Sequence, residues 1–383
     1  MRLGMIVMAK IVLTLALVLS VLCSLHAIDF GDLAKKTSDI AKVATKTTKS
    51  VVEKAPEIFS PEQLLDFGKQ SIAGVPLEAL AATINKICSI AVSSNATQSE
   101  DSVNITEINY VLMTDDDNVT IPLLESDFLW SNPLFKEHLN TTILVTGWTS
   151  NINGSNRAID TLFNAYKARG GYNFVVIDTS DYVDTLYSWS AFNTNDLGKA
   201  LAEGLKELIE YVPLENIHLI GHSLGAHIVG TAGRHFQYLT NLSLPRITGL
   251  DPANPCFNEG EALGGIYRGD ADFVDIIHSN AKVLGKRDPI GDVDFYPNGV
   301  VSVQPGCLNP SCSHARAWEL YAETVYPGNE NHMLAIKCNS VLSLDTGACP
   351  GKAIPMGFAC PRTAKGNYFL KTNDKFPFGK NLS

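Results

Sequence analysis

The sequence predicts an α/β fold, a central and mostly parallel sheet flanked by helices on both faces. Two observations lead there. Short apolar runs alternate with helical stretches of ten or more residues, the pattern that joins parallel strands through crossover helices. The 383-residue chain is also 45% apolar and 18% charged, which supplies a sizeable core and too little charge for a disordered or nucleic-acid-binding chain. That length suits one large α/β enzyme or two modest domains. A net charge of −10 argues against a phosphate-tracking partner, so no nucleic acid is expected. With no internal repeat and no long apolar span beyond the N-terminus, a solenoid and a multi-pass membrane protein are excluded.

The first element is an address. Arg2 and Lys10 precede the apolar run 11–25, and small residues stand at Ser24 and Ala27. That is the order of a secretory signal over 1–27, with cleavage after Ala27. The alternative, a retained anchor, calls for a longer uncharged run. Seven Asn-x-Ser/Thr sequons (Asn95, Asn104, Asn118, Asn140, Asn153, Asn241 and Asn381) agree with an extracellular, glycosylated protein.

Residues 28–104 read as an N-terminal extension. Its first part carries Lys35, Lys36, Lys42, Lys46, Lys49 and Lys54 among few apolar residues, so a solvated helix or loose arm is expected. A membrane-surface role is the alternative for it. Residues 60–91 are more apolar and helix-compatible, and the polar stretch 93–104 reads as a linker.

The main domain is expected over 105–383. Residues 142–145 (Thr-Ile-Leu-Val) predict a strand ending in the turn-like Thr146-Gly147-Trp148-Thr149. A helix over 158–167, a buried strand over 173–178 and a second helix over 194–211 follow. Ile217-His218-Leu219-Ile220 predicts a strand followed at once by a glycine turn and a helix. Residues 246–250 predict another strand, closed by Asp251-Pro252. Reactive residues in such sheets lie at the carboxyl ends of strands.

The chemistry centres on Gly221-His222-Ser223-Leu224-Gly225, a G-x-S-x-G turn between a strand and a helix. The glycines are needed because the serine sits on a sharp turn that leaves neighbouring Cβ atoms no room. The turn lifts the hydroxyl clear of the sheet and sets it at a helix N-terminus, where backbone N–H groups face a developing oxyanion. A serine nucleophile needs a base and an orienting acid, and in this fold class they follow it as acid, then histidine. Asp251 at a strand end and His314 behind the tight Cys307 to Cys312 loop meet that order. Asp275 is the rival acid and His278 the rival base. His222 adjoins the nucleophile and reads as packing rather than chemistry.

Removing Cys23 with the signal leaves Cys88, Cys256, Cys307, Cys312, Cys338, Cys349 and Cys360, an odd set in an oxidising compartment. Cys307 with Cys312 closes a very short loop, and Cys338 with Cys349 closes another if paired. Spacing does not identify the remaining thiol. No two-residue cysteine spacing accompanies a histidine pair, so zinc is not expected.

The segments 221–227 (Gly-His-Ser-Leu-Gly-Ala-His), 247–253 (Ile-Thr-Gly-Leu-Asp-Pro-Ala), 273–278 (Phe-Val-Asp-Ile-Ile-His), 294–299 (Asp-Phe-Tyr-Pro-Asn-Gly) and 312–314 (Cys-Ser-His) together resemble the pancreatic lipase family. The likeness covers roughly 105–383 and is nearest to secreted insect lipases related to yolk proteins and to venom phospholipases of the sn-1 type. It implies an α/β-hydrolase fold with Ser223 as nucleophile, Asp251 as triad acid and His314 as base. It further implies an oxyanion hole from the backbone N–H groups of Trp148 and Leu224, and a pairing of Cys256 with Cys88. The substrate it implies is a lipid ester at a membrane or lipid surface, cleaved without a cofactor.

The departures from the family bear on substrate. Four residues between Cys307 and Cys312 are too few for the long lid of enzymes acting on oil surfaces, and 278–294 is short too. Both features look like sn-1 phospholipases and galactolipases. The chain ends soon after the catalytic domain, so neither the family's C-terminal β-sandwich domain nor a colipase partner is expected. Asp270 matches one carboxylate position of the family's calcium loop, but Tyr267 occupies the other, and no metal is expected. The expected function is a secreted serine esterase hydrolysing fatty-acyl esters of glycerolipids. The alternatives are an sn-1 phospholipase or galactolipase, a non-catalytic yolk-like lipid-binding protein, and a serine peptidase of the same fold class.

Overall fold

A computed structural model describes residues 105–147, 157–179, 187–254, 256–257, 264–281, 283–308 and 310–380. The expected signal 1–27, the extension 28–104 with Cys88, the turn residue Trp148 and the sequons at Asn95, Asn104, Asn153 and Asn381 lie outside the described residues.

Strands β1 (Asn109–Met113) and β2 (Val119–Pro122) form a hairpin, followed by the short helix α1 (Asp127–Trp130). Alternation then sets in: β3 (Asn140–Val145), α2 (Arg157–Arg169), β4 (Tyr172–Asp178), α3 (Tyr187–Leu208), β5 (Ile217–His222), α4 (Leu224–Thr240) and β6 (Arg246–Leu250). After these come β7 (Val274–Ile277), β8 (Val293–Pro297), α5 (Pro310–Val325), β9 (Leu334–Cys338), α6 (Val341–Thr346), β10 (Ala353–Pro355) and β11 (Gly366–Leu370). The sheet runs β10-β9-β11-β8-β7-β6-β5-β3-β4-β1-β2. All pairs from β11 to β4 are parallel, and the pairs at both edges are antiparallel. The expected mostly parallel sheet is therefore present, extended by antiparallel edges that the sequence reading did not foresee.

Side chains alternate across a strand, so each central strand feeds two cores. Ile143, Val145, Val175, Ile177 and Leu219 face one side, where they meet Leu197, Leu201 and Leu205 of α3 and Ile228, Val229 and Phe236 of α4. Leu144, Phe174, Val176 and Ile220 face the other, against Ile159, Leu162 and Tyr166 of α2 and Trp318, Leu320 and Tyr321 of α5. Both faces being covered explains why these strands read as continuous apolar runs. The helix expected over 158–167 runs to Arg169 and ends at Gly170, whose positive φ of 71° closes it. The helix expected over 194–211 starts at Tyr187 and stops at Leu208, giving way to turns ahead of Pro213.

Cys307–Cys312 and Cys338–Cys349 are disulfides, as the spacing allows. Cys256 is disulfide-bonded, and among the described residues the free thiol is the buried Cys360. Among the described residues, no helix is long and apolar enough to cross a membrane.

Candidate active site

β5 ends at His222 and α4 begins at Leu224, leaving a single residue to reverse the chain. That residue, Ser223, takes φ 57° and ψ −123°, a conformation costly for any residue with a side chain. Three bonds hold it there. Its N–H donates to Leu250 O (3.1 Å), and its carbonyl accepts from Ala226 N (3.1 Å) and Ala253 N (3.2 Å). A Cβ on Gly225 would lie 2.1 Å from Val145 O, so the elbow seats directly on the end of β3 and the second motif glycine cannot be replaced without displacement. Gly147, next to Trp148, lies against Ser223 in the same way. Leu224 opens α4, and its N–H is one of the donors a helix leaves free in its first turn. Trp148, the other expected oxyanion donor, is outside the described residues.

β6 lies beside β5 and delivers Asp251 at its carboxyl end. The residue has positive φ (45°) and donates its N–H to Ile277 O at 2.7 Å. Its carboxylate is fully buried. One oxygen accepts from the backbone N–H groups of Ser279 (2.7 Å) and Asn280 (2.9 Å), and the other faces His314 Nδ1 at 2.5 Å. A carboxylate accepts, so Nδ1 carries the proton and the neutral ring presents a bare Nε2, the form a general base requires. His314 opens the second turn of α5, directly behind the Cys307–Cys312 loop. That loop is tied to the helix by Arg316 Nη1 to Pro305 O (2.9 Å) and by Gln304 N to Ser313 Oγ (2.9 Å). Gln304 Nε2 also reaches Ser279 O (2.9 Å), linking the loop to the backbone that holds Asp251.

Exposure is graded across the three. The Asp251 side chain is 0% exposed and that of His314 13%, while Ser223 is 7% exposed. The acid is sealed, and the other two reach the protein's edge. The structure thus brings Asp251 and His314 together beside the Ser223 elbow. Among the described residues, no hydrogen bond joins Ser223 Oγ to His314; the link is His222, whose ring lies 4.7 Å from that of His314. Catalytic hydrogen bonds in ligand-free sites are often long and tighten with substrate bound.

The rivals are occupied elsewhere. Asp275 forms a two-pronged pair with Arg246 (2.8 and 2.7 Å) and accepts from Thr248 Oγ1 (2.8 Å). His278 stacks on Tyr296, with Nδ1 on Lys286 O (2.8 Å) and Nε2 on Asp294 Oδ1 (2.9 Å), leaving no nitrogen for substrate. His227, from the same motif as Ser223, anchors α4: Nε2–H donates to Ala253 O (2.8 Å) and Nδ1 accepts from Ile266 N (3.0 Å). Burial pushes its pKa down to about 3.

The Asp270 carboxylate is held by Arg234 Nη1 (2.7 and 2.8 Å) and Tyr267 N (2.9 Å), and burial raises its pKa to about 6 despite that guanidinium. An acid already gripped by an arginine, beside a tyrosine where the family has a second carboxylate, does not fit a calcium ion. Among the described residues, no three His, Cys, Asp or Glu side chains are grouped to hold a metal.

Sequence reasoning missed three parts of the site. Ser279 and Asn280 follow β7 and act through backbone N–H groups, which carry no residue signature. Gly285 forms the floor under the acid, and a Cβ there would lie 2.3–2.4 Å from all three carboxylate atoms of Asp251.

The family model described as Lipase matches residues 82–378. The chain is 37% identical to Vitellogenin-1 of Ceratitis capitata over 210 residues, 54% of this chain and 48% of that protein. It is 37% identical to Vitellogenin-3 of Drosophila melanogaster over 227 residues, 59% of this chain and 54% of that protein. With lipoprotein lipase of Neovison vison it shares 31% identity over 280 residues, 65% of this chain and 58% of that protein. The chain spans about half the length of the curated relatives it matches. With a family match over most of its residues and the motifs in their expected places, the chain belongs to the lipase family, the pancreatic lipase family its motifs resemble.

Proposed function

We propose that the protein is a secreted serine esterase that hydrolyses fatty-acyl esters of glycerolipids. Residues 105–383 form its catalytic domain, preceded by the signal 1–27 and the extension 28–104. The observation that carries the reading is the Asp251–His314 contact at 2.5 Å beside the strained Ser223 elbow. His314 Nε2 takes the Ser223 proton as the hydroxyl attacks the ester carbonyl. The oxyanion meets the N–H groups of Leu224 and Trp148, and the protonated ring returns its proton to the departing alcohol. Water, activated by the same nitrogen, then attacks the acyl-enzyme and releases the fatty acid. Each hole donor is worth roughly 3–4 kcal/mol in the transition state. Export is supported by the disulfides and by the exposure of every described sequon asparagine, Asn118, Asn140 and Asn241.

Ser223→Ala is expected to abolish hydrolysis of short-chain nitrophenyl esters while the melting temperature stays close to wild type. Turnover near the wild-type rate would remove Ser223 from the nucleophile's role.

Two finer readings have support of their own. The Cys307–Cys312 loop is too short to cover a cleft, and its Leu308 is 92% exposed, which favours an open site of the sn-1 phospholipase or galactolipase kind. The position of the chain released from mixed phosphatidylcholine and triacylglycerol vesicles distinguishes that from neutral-lipid hydrolysis. The yolk-like, non-catalytic reading is favoured by the higher identity to vitellogenins than to lipoprotein lipase. A fluorophosphonate probe separates it from an enzyme, because an unactivated serine reacts slowly.

A further inference from the structure

We propose that His222 is a positioning residue that sets the distance between nucleophile and base by gripping the backbone of His314. The inference rests on the triad reading above and assigns a task to a side chain that reading leaves idle. His222 Nε2 lies 3.2 Å from the carbonyl oxygen of His314. A carbonyl only accepts, so Nε2 carries the hydrogen and donates it. Ser279 Oγ approaches the same oxygen at 3.4 Å.

Three segments therefore converge on one residue. The elbow holds His314 through His222, the β7 exit holds it through Ser279, and the acid holds its ring through Nδ1. Of these, only the His222 contact comes from the residue bonded to Ser223. It translates the elbow's position directly into the position of the base, and base placement is where an error of about 1 Å costs on the order of 100-fold in rate.

A packing role accounts poorly for the choice of residue. His222 Nδ1 is buried with no hydrogen-bond partner among the described residues, a cost that a leucine filling the same space would avoid. Burial and the neighbouring His314 hold the His222 pKa well below its usual value, so the ring stays neutral while the base cycles its proton. It orients without adding a charge 4.7 Å from the imidazolium that forms.

The test compares His222→Leu, which keeps the volume and loses the donor, with His222→Gln, whose side-chain amide reaches about as far as Nε2. Positioning predicts a fall in kcat of about 10- to 100-fold for the leucine variant, with KM little changed, and recovery of most of that loss by glutamine. A leucine variant within about twofold of wild type in kcat, or a glutamine variant as impaired as leucine, would overturn it. A second readout needs no turnover: the low-field proton resonance of His314 Nδ1–H. It should broaden or vanish in the leucine variant and persist with glutamine; an unchanged resonance in leucine contradicts the proposal. If the wild type hydrolyses no ester, the triad reading fails while this resonance still decides the role of His222.

Discussion

Asp251 is enclosed so closely that one methyl group is enough to disturb it. A Cβ on Gly285 would fall 2.3 Å from Oδ1 and 2.4 Å from Oδ2, inside any tolerable contact distance. Gly285→Ala must move the carboxylate or the backbone that carries the alanine, and either changes the angle at which the acid meets His314 Nδ1. The expected outcome is a loss of about 100-fold in kcat on a nitrophenyl ester, with the protein still folded by circular dichroism. A kcat within a few-fold of wild type would show that the floor is soft. Such a role is invisible along the chain, because Leu284-Gly285-Lys286 carries no turn or motif signal and the partner is remote in sequence. Ser223 is the opposite case. Its strand, its glycines and the start of its helix lie within ten residues, so local sequence reports the turn itself, and only the Leu250 and Ala253 backbone groups that bond it come from farther along the chain.

The same division between local and distant causes runs through the strands. β3, β4, β5 and β6 were legible because both their faces are covered and each carries a short apolar run bounded by turn or helix signals. β7 and β8 are as deeply buried, but Asp275 and Asp294 interrupt their apolar pattern. Those acids are tolerated because Arg246 on β6 and His278 after β7 answer them, pairings no local pattern reveals. β2 and β10 are short and half exposed, and only their neighbours make them strands. The Arg246–Asp275 pair also separates the two acids experimentally. Arg246 bridges β6 and β7 and donates to Gly357 O (2.8 Å) and Phe358 O (3.0 Å), so it ties the sheet to the segment before β11. Asp275→Asn leaves that guanidinium buried without its counter-charge, a loss of about 3–5 kcal/mol in stability, with kcat of the folded fraction near wild type. Asp251→Asn should do the reverse, holding stability better while kcat falls by about 10⁴-fold through the wrong His314 tautomer. Equal kcat losses in both variants would reopen the choice of acid.

Taken as one titrating body, the protein should weaken in acid because it holds three histidines in neutral form, His222 and His227 buried and His218 partly buried. His227 already has a donor at Ile266 N facing its Nδ1, so a proton there would set two donors against each other. Thr248 gives its hydrogen to Asp275 and must accept from His218 Nε2, fixing that ring as well. The pKa values of His218 and His222 lie well below the usual 6.5, mainly through burial, and that of His227 is about 3. Below pH 6.5 the unfolded chain binds protons at these rings and the folded chain does not, so stability falls as pH drops. Each contributes a slope approaching 1.4 kcal/mol per pH unit. Asp270 acts against them: with its pKa raised from 3.8 to about 6, the folded form holds an extra proton between those values and regains part of the loss. The net expectation is a urea midpoint that declines from pH 7 to pH 5. His227→Gln, which cannot take a proton, should flatten that decline by about one proton's worth, whatever its stability at pH 7. A variant that keeps the full slope would mean that His227 is protonated in the folded protein, against the donor at Ile266 that faces it.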